Sequence, residues 1–331
     1  MKGSALTLGA ATGYNAFILG DFTEYNTDSE GKIAVAGNFA PANGSGFTVA
    51  SHHASDPSGV YDLIVGGNLT NKYYSLGGGD VFVGGNLNWT DPTMPHNVYV
   101  NGNFVNSVNG GWVGGTIYYG GTYSSGTSFS HVHVGTPTTS PIDFVGAQTN
   151  LTSVSNTLAS TPANGTVYIN WGTYTLTGTS SSLNVFNLSN SSFNGATINI
   201  TAPAGSTVIV NVAGTADSFN GGSINLNGVS SKDVIFNFST ASTLALSNIS
   251  FNGTILAPGA AFTGSWGQIN GQLIAKSAAG TTELHDALFS GNLTTLTGTQ
   301  YSATPEPGTW WLLVCGVTLI AVSRKRSTSR D

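Results

Sequence analysis

Ile33-Ala-Val-Ala-Gly-Asn-Phe39 returns as Leu63-Ile-Val-Gly-Gly-Asn-Leu69, Val81-Phe-Val-Gly-Gly-Asn-Leu87 and Val98-Tyr-Val-Asn-Gly-Asn-Phe104. The aligned asparagines, Asn38, Asn68, Asn86 and Asn103, lie 30, 18 and 17 residues apart. Each unit is a short β-branched strand followed by Gly and Asn, the residues that tolerate left-handed backbone at a corner. A strand and a corner every 17 or 18 residues is the pattern of a β-solenoid coil. Two readings of the asparagines stand: a stacked hydrogen-bonded ladder, or residues that simply permit the turn. The wider first gap marks an insertion, residues 41–60, expected to leave the coil as a loop.

Residues 122–165 interrupt the pattern with Ser, Thr, Gly and Pro, and the apolar spacing over 142–158 suggests a helix. From Val167 strands resume, among them Tyr174-Thr-Leu, Val185-Phe-Asn-Leu, Val208-Ile-Val-Asn-Val and Val234-Ile-Phe-Asn-Phe. Apolar residues alternate there with Asn, Thr and Ser, as in strands with one buried face. The fold class expected is all-β, a β-solenoid or β-helix-like body of short strands with Gly and Asn turns, plus a C-terminal hydrophobic helix. The expected organisation is a poorly defined start (1–7), a β body (8–292), a linker (293–304) and a C-terminal segment (305–331).

Composition narrows the function. Charged residues make up 7% of the 331 residues and the net charge is −6. Nucleic-acid binding needs clustered Lys and Arg, so it is excluded. The hydrophobic share of 40% is enough for a large core. The lone cysteine, Cys315, lies in the C-terminal apolar run, so no disulfide is expected in the body.

All three arginines lie in the last eight residues. Pro305-Glu306-Pro307 leads into an apolar segment, 308–323, and then Arg324-Lys325-Arg326. This order resembles a PEP-CTERM sorting signal. The resemblance implies an exosortase-type processing partner, transient membrane anchoring through the apolar segment, and display at the cell surface or in an extracellular matrix. The segment is short for a permanent span, which needs roughly 17–25 apolar residues. Met1–Ala11 has one Lys and a weak apolar stretch, a poor signal peptide that suggests a truncated or misplaced start.

The body resembles the choice-of-anchor A domain. The residues that carry the likeness are Leu8 to Phe22, Asp28-Ser-Glu-Gly-Lys-Ile-Ala-Val-Ala-Gly-Asn38, Phe251-Asn-Gly-Thr-Ile-Leu-Ala-Pro258, Ile269 to Ala275 and Glu283-Leu-His285. The resemblance implies an adhesive domain of β-solenoid character and brings neither ligand nor catalytic residues.

Several constellations could carry chemistry. Asp21, Glu24, Asp28 and Glu30 form the densest acidic cluster, open to three readings: a plain turn, Ca²⁺ ligation, or an acid/base pair acting on a glycan. His131 and His133 share a strand face and could ligate a metal with Asp143, or lie on a solvated face. His52-His53 falls in the insertion, and His285-Asp286 reads as a structural hydrogen bond. Gly77-Gly-Gly-Asp80 is read as a turn. Trp89, Trp112, Tyr118, Tyr119 and Tyr123 are the candidate ligand-binding aromatics, because aromatic faces stack on sugar rings; the competing reading is that half of them fill the interior. No cofactor or dedicated metal site is expected. The favoured function is a non-enzymatic exported adhesive or structural protein, with an extracellular polysaccharide or a surface protein as partner. The alternative is a carbohydrate-active enzyme, a polysaccharide lyase or hydrolase, on the same fold. An ice-binding solenoid needs regular Thr-x-Thr ranks, of which only Thr175-Leu-Thr177 is evident.

Overall fold

The computed structural model describes residues 4–24, 27–40, 47–72, 74–90, 93–106, 110–135 and 139–298. They belong to one compact unit, Met1–Thr299. The sorting residues Pro305, Glu306, Pro307, Arg324, Lys325 and Arg326, and the hydrophobic segment 308–323, lie outside the described residues.

The body is a parallel β-solenoid with three strands to the turn. One face is a sheet whose rungs run in the order Val132–Val134, Ile117–Tyr119, Val98–Val100, Asp80–Val83, Tyr61–Val65, Ile33–Val35, Ala16–Ile18, then Leu273–Gly280, Thr254–Asn270, Val234–Asn237, Thr207–Val212 and Leu183–Leu188. The order shows how the chain travels. It starts in the middle, winds outward to Val134, crosses back through a helix, and winds inward from the far end. The last coil then stacks on the first, with Ala16 opposite both Leu273 and Ile33.

The crossing element is α1, Phe144–Ser160, capped by Asp143, whose carboxylate accepts from Gly146 N at 2.9 Å. While the outer rungs Val98–Val100, Ile117–Tyr119 and Val132–Val134 stay partly exposed, it covers the outside of the central rungs of this first face. Strands there are buried on both sides, which explains their unbroken apolar runs: Thr207–Val212 and Asp80–Val83 are buried at every position. Inward residues fill the solenoid. Outward ones, including Phe17, Ile209, Ile235, Leu256 and Ile274, pack with Leu151, Val154 and Leu158 of the helix. Polar groups fix the docking: Asn237 Nδ2 donates to Ser155 O and to Asn211 Oδ1, both at 2.9 Å, and Asn211 Nδ2 donates to Leu158 O.

The other two faces are open to solvent, and their strands alternate. Thr243–Asn252 switches between exposed and buried along most of its length. Parallel in-register pairing puts like on like inside, so Phe22 stacks on Phe39 at 5.1 Å and Phe193 on Phe219 at 4.5 Å.

The asparagine ladder exists. Asn68 N and Nδ2 donate to Asn38 Oδ1 at 2.9 and 3.0 Å, Asn86 N to Asn68 Oδ1 at 2.8 Å, Asn103 N to Asn86 Oδ1 at 2.8 Å, and Thr122 N to Asn103 Oδ1 at 2.8 Å. The insertion is not wholly a loop. Phe47–Val49 within it is a strand beside Tyr74–Leu76, because alternate apolar residues Phe47 and Val49 can fill the interior. Ser4–Ala5 pairs with Thr297–Gly298, and Leu6 and Leu293 are buried. The body therefore begins before Leu8 and runs past Asn292, into the expected linker.

Candidate functional site

The two open faces present ranks of small uncharged side chains. On one, Ser218, Ala245, Thr263, Ala279 and Thr23 lie in register across successive rungs. Farther along the same face, Thr70, Asn88, Val105 and Ser124 align. On the other open face, Thr173, Thr197 and Ser223 form one rank, Thr175, Asn199 and Asn225 a second, and Thr177, Thr201 and Asn227 a third. Rungs are about 4.8 Å apart and outward residues along a strand about 6.7 Å apart. The result is a rigid lattice of hydroxyl, amide and methyl groups, suited to a partner that is itself flat or repetitive.

The acidic candidates divide between two places. Asp21 heads the asparagine ladder, its Oδ1 accepting from Asn38 N at 2.7 Å and Nδ2 at 3.1 Å. Glu24 is buried. Asp28 and Glu30 lie instead on the opposite open face, where the first and last coils meet. Glu30 Oε2 accepts from Asp286 N at 2.9 Å and is 3.5 Å from His52 Nδ1. Burial, with Glu283 and Glu30 nearby, raises the Asp28 carboxyl above its usual range. His285 Nδ1 lies 2.7 Å from Asn270 Oδ1 and its Nε2 lies 3.3 Å from Glu283 Oε1.

The insertion is fastened over this seam. Lys32 Nζ lies 2.5 Å from Asp56 and 3.3 Å from the fully buried Asp62. Burial alone would lower the Lys32 ammonium, but the two carboxylates together raise it. Burial pushes Asp62 up to about 7 against the pull of Lys32. His53 Nε2 reaches Asp286 at 3.2 Å. Asp80, at the end of the glycine run, accepts from Gly59 N at 2.8 Å and Asn97 N at 2.9 Å, so it holds a turn.

His133 lies in the last rung, where its ring stacks on Tyr118 at 6.0 Å. That is five rungs, about 24 Å, from the Ile33 strand. Asp143 is committed to capping α1. Among the described residues no group of three or more His, Cys, Asp or Glu could hold a metal ion.

The aromatic candidates divide between interior and surface. Trp89 is 0% exposed and belongs to the interior, because it sits on the inward side of its strand, two residues from the inward Leu87. Tyr123 stacks on Phe104 at 5.4 Å, and Tyr119 packs against the same core. Tyr118 points the other way and stacks on Tyr99 at 5.0 Å. Only Trp112, 56% exposed beside Thr93, presents its ring openly. Sequence reasoning missed the two most exposed tryptophans among the described residues, Trp171 at 98% and Trp266 at 70%. The available signal was that each precedes a glycine, Gly172 and Gly267, in an otherwise Asn- and Thr-rich region.

Among the described residues no helix is long and apolar enough to cross a membrane. A family model described as "Putative Ice-binding-like adhesive domain" matches residues 7–94 and 88–286. No match is found among curated proteins. Similar solved structures include an ice binding protein from an Antarctic biological consortium (16% identity, 86% of this chain and 91% of that chain, TM-score 0.36). An ice-binding protein 1 domain of Shewanella frigidimarina aligns at 16% identity over 88% of this chain and 100% of that one, TM-score 0.37. The ice-binding protein of the Antarctic ascomycete Antarctomyces psychrotrophicus aligns at 12% identity over 87% of this chain and 100% of that one, TM-score 0.30.

Proposed function

Since the chain belongs to the ice-binding-like adhesive domain family, we propose that it is a non-enzymatic adhesive protein working outside the cytoplasm. The observation that carries this reading is the pair of open faces, flat ranks of Thr, Ser, Asn and Ala repeated at rung spacing. Such a surface gains from many weak contacts with an extended partner, and it needs no single deep pocket. The polysaccharide lyase or hydrolase would have to use Asp28 and Glu30 with His52, His53 and His285 at the seam, where Glu30 and His53 both engage Asp286 and His285 engages Asn270 and Glu283.

The rest of the proposal comes from the sequence. The C-terminal Pro305-Glu306-Pro307, apolar 308–323 and Arg324-Lys325-Arg326 would direct the protein, through an exosortase-type enzyme, to the cell surface or the matrix. The choice-of-anchor A likeness supports the same destination.

The test is a retention assay with the full chain on extracellular matrix from the native host, alongside the chain length of the matrix polysaccharide. Saturable retention with unshortened polysaccharide supports adhesion. Shortened polysaccharide without retention would replace the reading by the enzymatic one. A second reading, ice binding, is favoured by Thr173 and Thr177 lying in register with Thr197 and Thr201, with Thr175 between them opposite Asn199. The threonines then give way to Ser223, Asn225 and Asn227. Inhibition of ice recrystallisation at micromolar protein would support it, and normal crystal growth would remove it.

A further inference from the structure

One corner of the solenoid, which joins the two open faces, is left-handed at four successive rungs, and the hairpin turn Trp171-Gly172 continues the column at its end. Its residues are Gly195 (φ 66°), Gly221 (65°), Asn248 (53°) and Trp266 (60°), while Trp171 (47°) is the first residue of the two-residue turn between the antiparallel strands Thr166–Asn170 and Thr173–Thr177. The alignment follows from register. Thr197 N donates to Gly172 O, and Ser223 N to Ala196 O. Asn220 pairs with Ser247 and Ser247 with Ser265, while Ile249 pairs with Gly267. The corner, and the two-residue hairpin turn at its end, therefore demand αL backbone whatever residues occupy them.

Gly and Asn meet that demand at little cost, and a bulky aromatic does not. Trp nevertheless holds both ends of the column, with the two indoles largely in solvent. A strained backbone and an exposed indole each cost stability, and neither contributes to the core. Strain kept at an exposed aromatic points to function. Between the two, the corner is bare: a Cβ at Gly195 or Gly221 would meet nothing within 4 Å. Four rung steps separate the tryptophans, about 19 Å.

We propose that Trp171 and Trp266 are two stacking platforms of a binding edge for a neutral polysaccharide chain, lying along the corner over Gly195, Gly221 and Asn248. This rests on the adhesive reading and names its ligand class. The surroundings fit sugar. Thr173, Thr197 and Ser223 flank the corner on one face, and Asn220, Ser247 and Ser265 on the other. These supply hydroxyl and amide partners for sugar hydroxyls, while the indoles take the apolar ring faces. Between Thr166 and Asn270 the only charged residues are the buried Asp217 and the pair Lys232-Asp233. An anionic polymer would find no cationic track along the edge.

The test uses the full chain with Trp171→Gly, Trp266→Gly, both together, and Val145→Ala, on the exposed side of α1, as the control. Glycine is the residue the corner itself uses, so folding should be unharmed; Trp171→Asn and Trp266→Asn repeat the test with the corner's other residue type. The probes are microcrystalline cellulose, insoluble chitin, and host matrix polysaccharide freed of protein by protease, with intact matrix beside them. Expected is retention of the unchanged protein on at least one glycan, weakened tenfold or more by each single change and abolished by both. Val145→Ala should bind as the unchanged protein does, and melting temperatures of the Trp variants should hold or rise. Undiminished glycan binding by the double variant would overturn the site. Retention on intact matrix but on none of the glycans would overturn the ligand class and leave adhesion standing. Retention on neither would overturn the adhesive reading and this inference with it.

Discussion

Replacing Asn15 by alanine should unfasten the seam at which the last coil stacks on the first. Asn15 is 0% exposed. Its Nδ2 donates to Gly271 O at 2.8 Å and His285 O at 2.9 Å, and its Oδ1 accepts from Ser29 Oγ at 3.2 Å and Gly31 N at 3.3 Å. One side chain thus ties residues near both ends of the body, where no covalent link helps. Each hydrogen bond contributes about 1 kcal/mol net, and a buried group left without a partner costs about 1–3 kcal/mol. Ser29 Oγ keeps an alternative in Gly31 O at 2.9 Å, so the sum is about 3–5 kcal/mol. Aspartate, which keeps the acceptors but sets a carboxylate against two carbonyls, should be no better at neutral pH. The assay is amide hydrogen exchange at Ala16–Ile18 and around Leu273–Ala275, beside a urea unfolding midpoint. Local readout matters because solenoids unfold in parts. Exchange unchanged at both strands, with less than about 1 kcal/mol lost, would refute the view that this seam depends on its buried amide.

Asp217 sits inside the solenoid, and burial raises its carboxyl to about 6. The unfolded group ionises near 3.8, so between these values the folded state holds the extra proton. Its contribution is fully present below the unfolded value and is lost as pH rises through about 6. Asp217→Asn should therefore remove that pH dependence and stabilise the protein at pH 7 by up to about 3 kcal/mol; a denaturation series from pH 4 to 8 checks both. Lys32→Met should leave the buried Asp62 without its cation, while Asp56 keeps His53 Nδ1 at 3.3 Å, and cost about 1–3 kcal/mol, seen as protease cleavage within residues 51–60; resistance there equal to the unchanged protein would contradict it. Trp266→Gly should stabilise the fold by about 0.5–1 kcal/mol, αL strain relieved less the entropy of glycine; a fall in melting temperature would show that the indole supports the structure.

Strand positions and coil spacing were legible because the Asn38 to Asn103 repeats set both period and corner. The helix was legible in outline: the apolar spacing over 142–158 found it, and its observed span, Phe144–Ser160, starts after the Asp143 cap. The route of the chain was not legible. No local pattern announces that Leu273 will pair with Ala16, since that choice depends on exposed strand edges meeting at the middle of the stack. Trp89 misled for a related reason. Composition marks a tryptophan as a binder, but only strand parity, Leu87 inward and Trp89 inward, places it in the core. Trp171 and Trp266 were passed over because their significance lies in a column of αL corners, visible only once residues 195, 221 and 248 are stacked between them.

The most direct test of the central claim is to fractionate the native host, with an epitope placed in the 51–60 loop, and to take the intact mass of the tagged protein. The account predicts protein outside the cell, bound to the matrix and lacking the residues that follow Pro305. Full-length protein confined to the cytoplasm would contradict it.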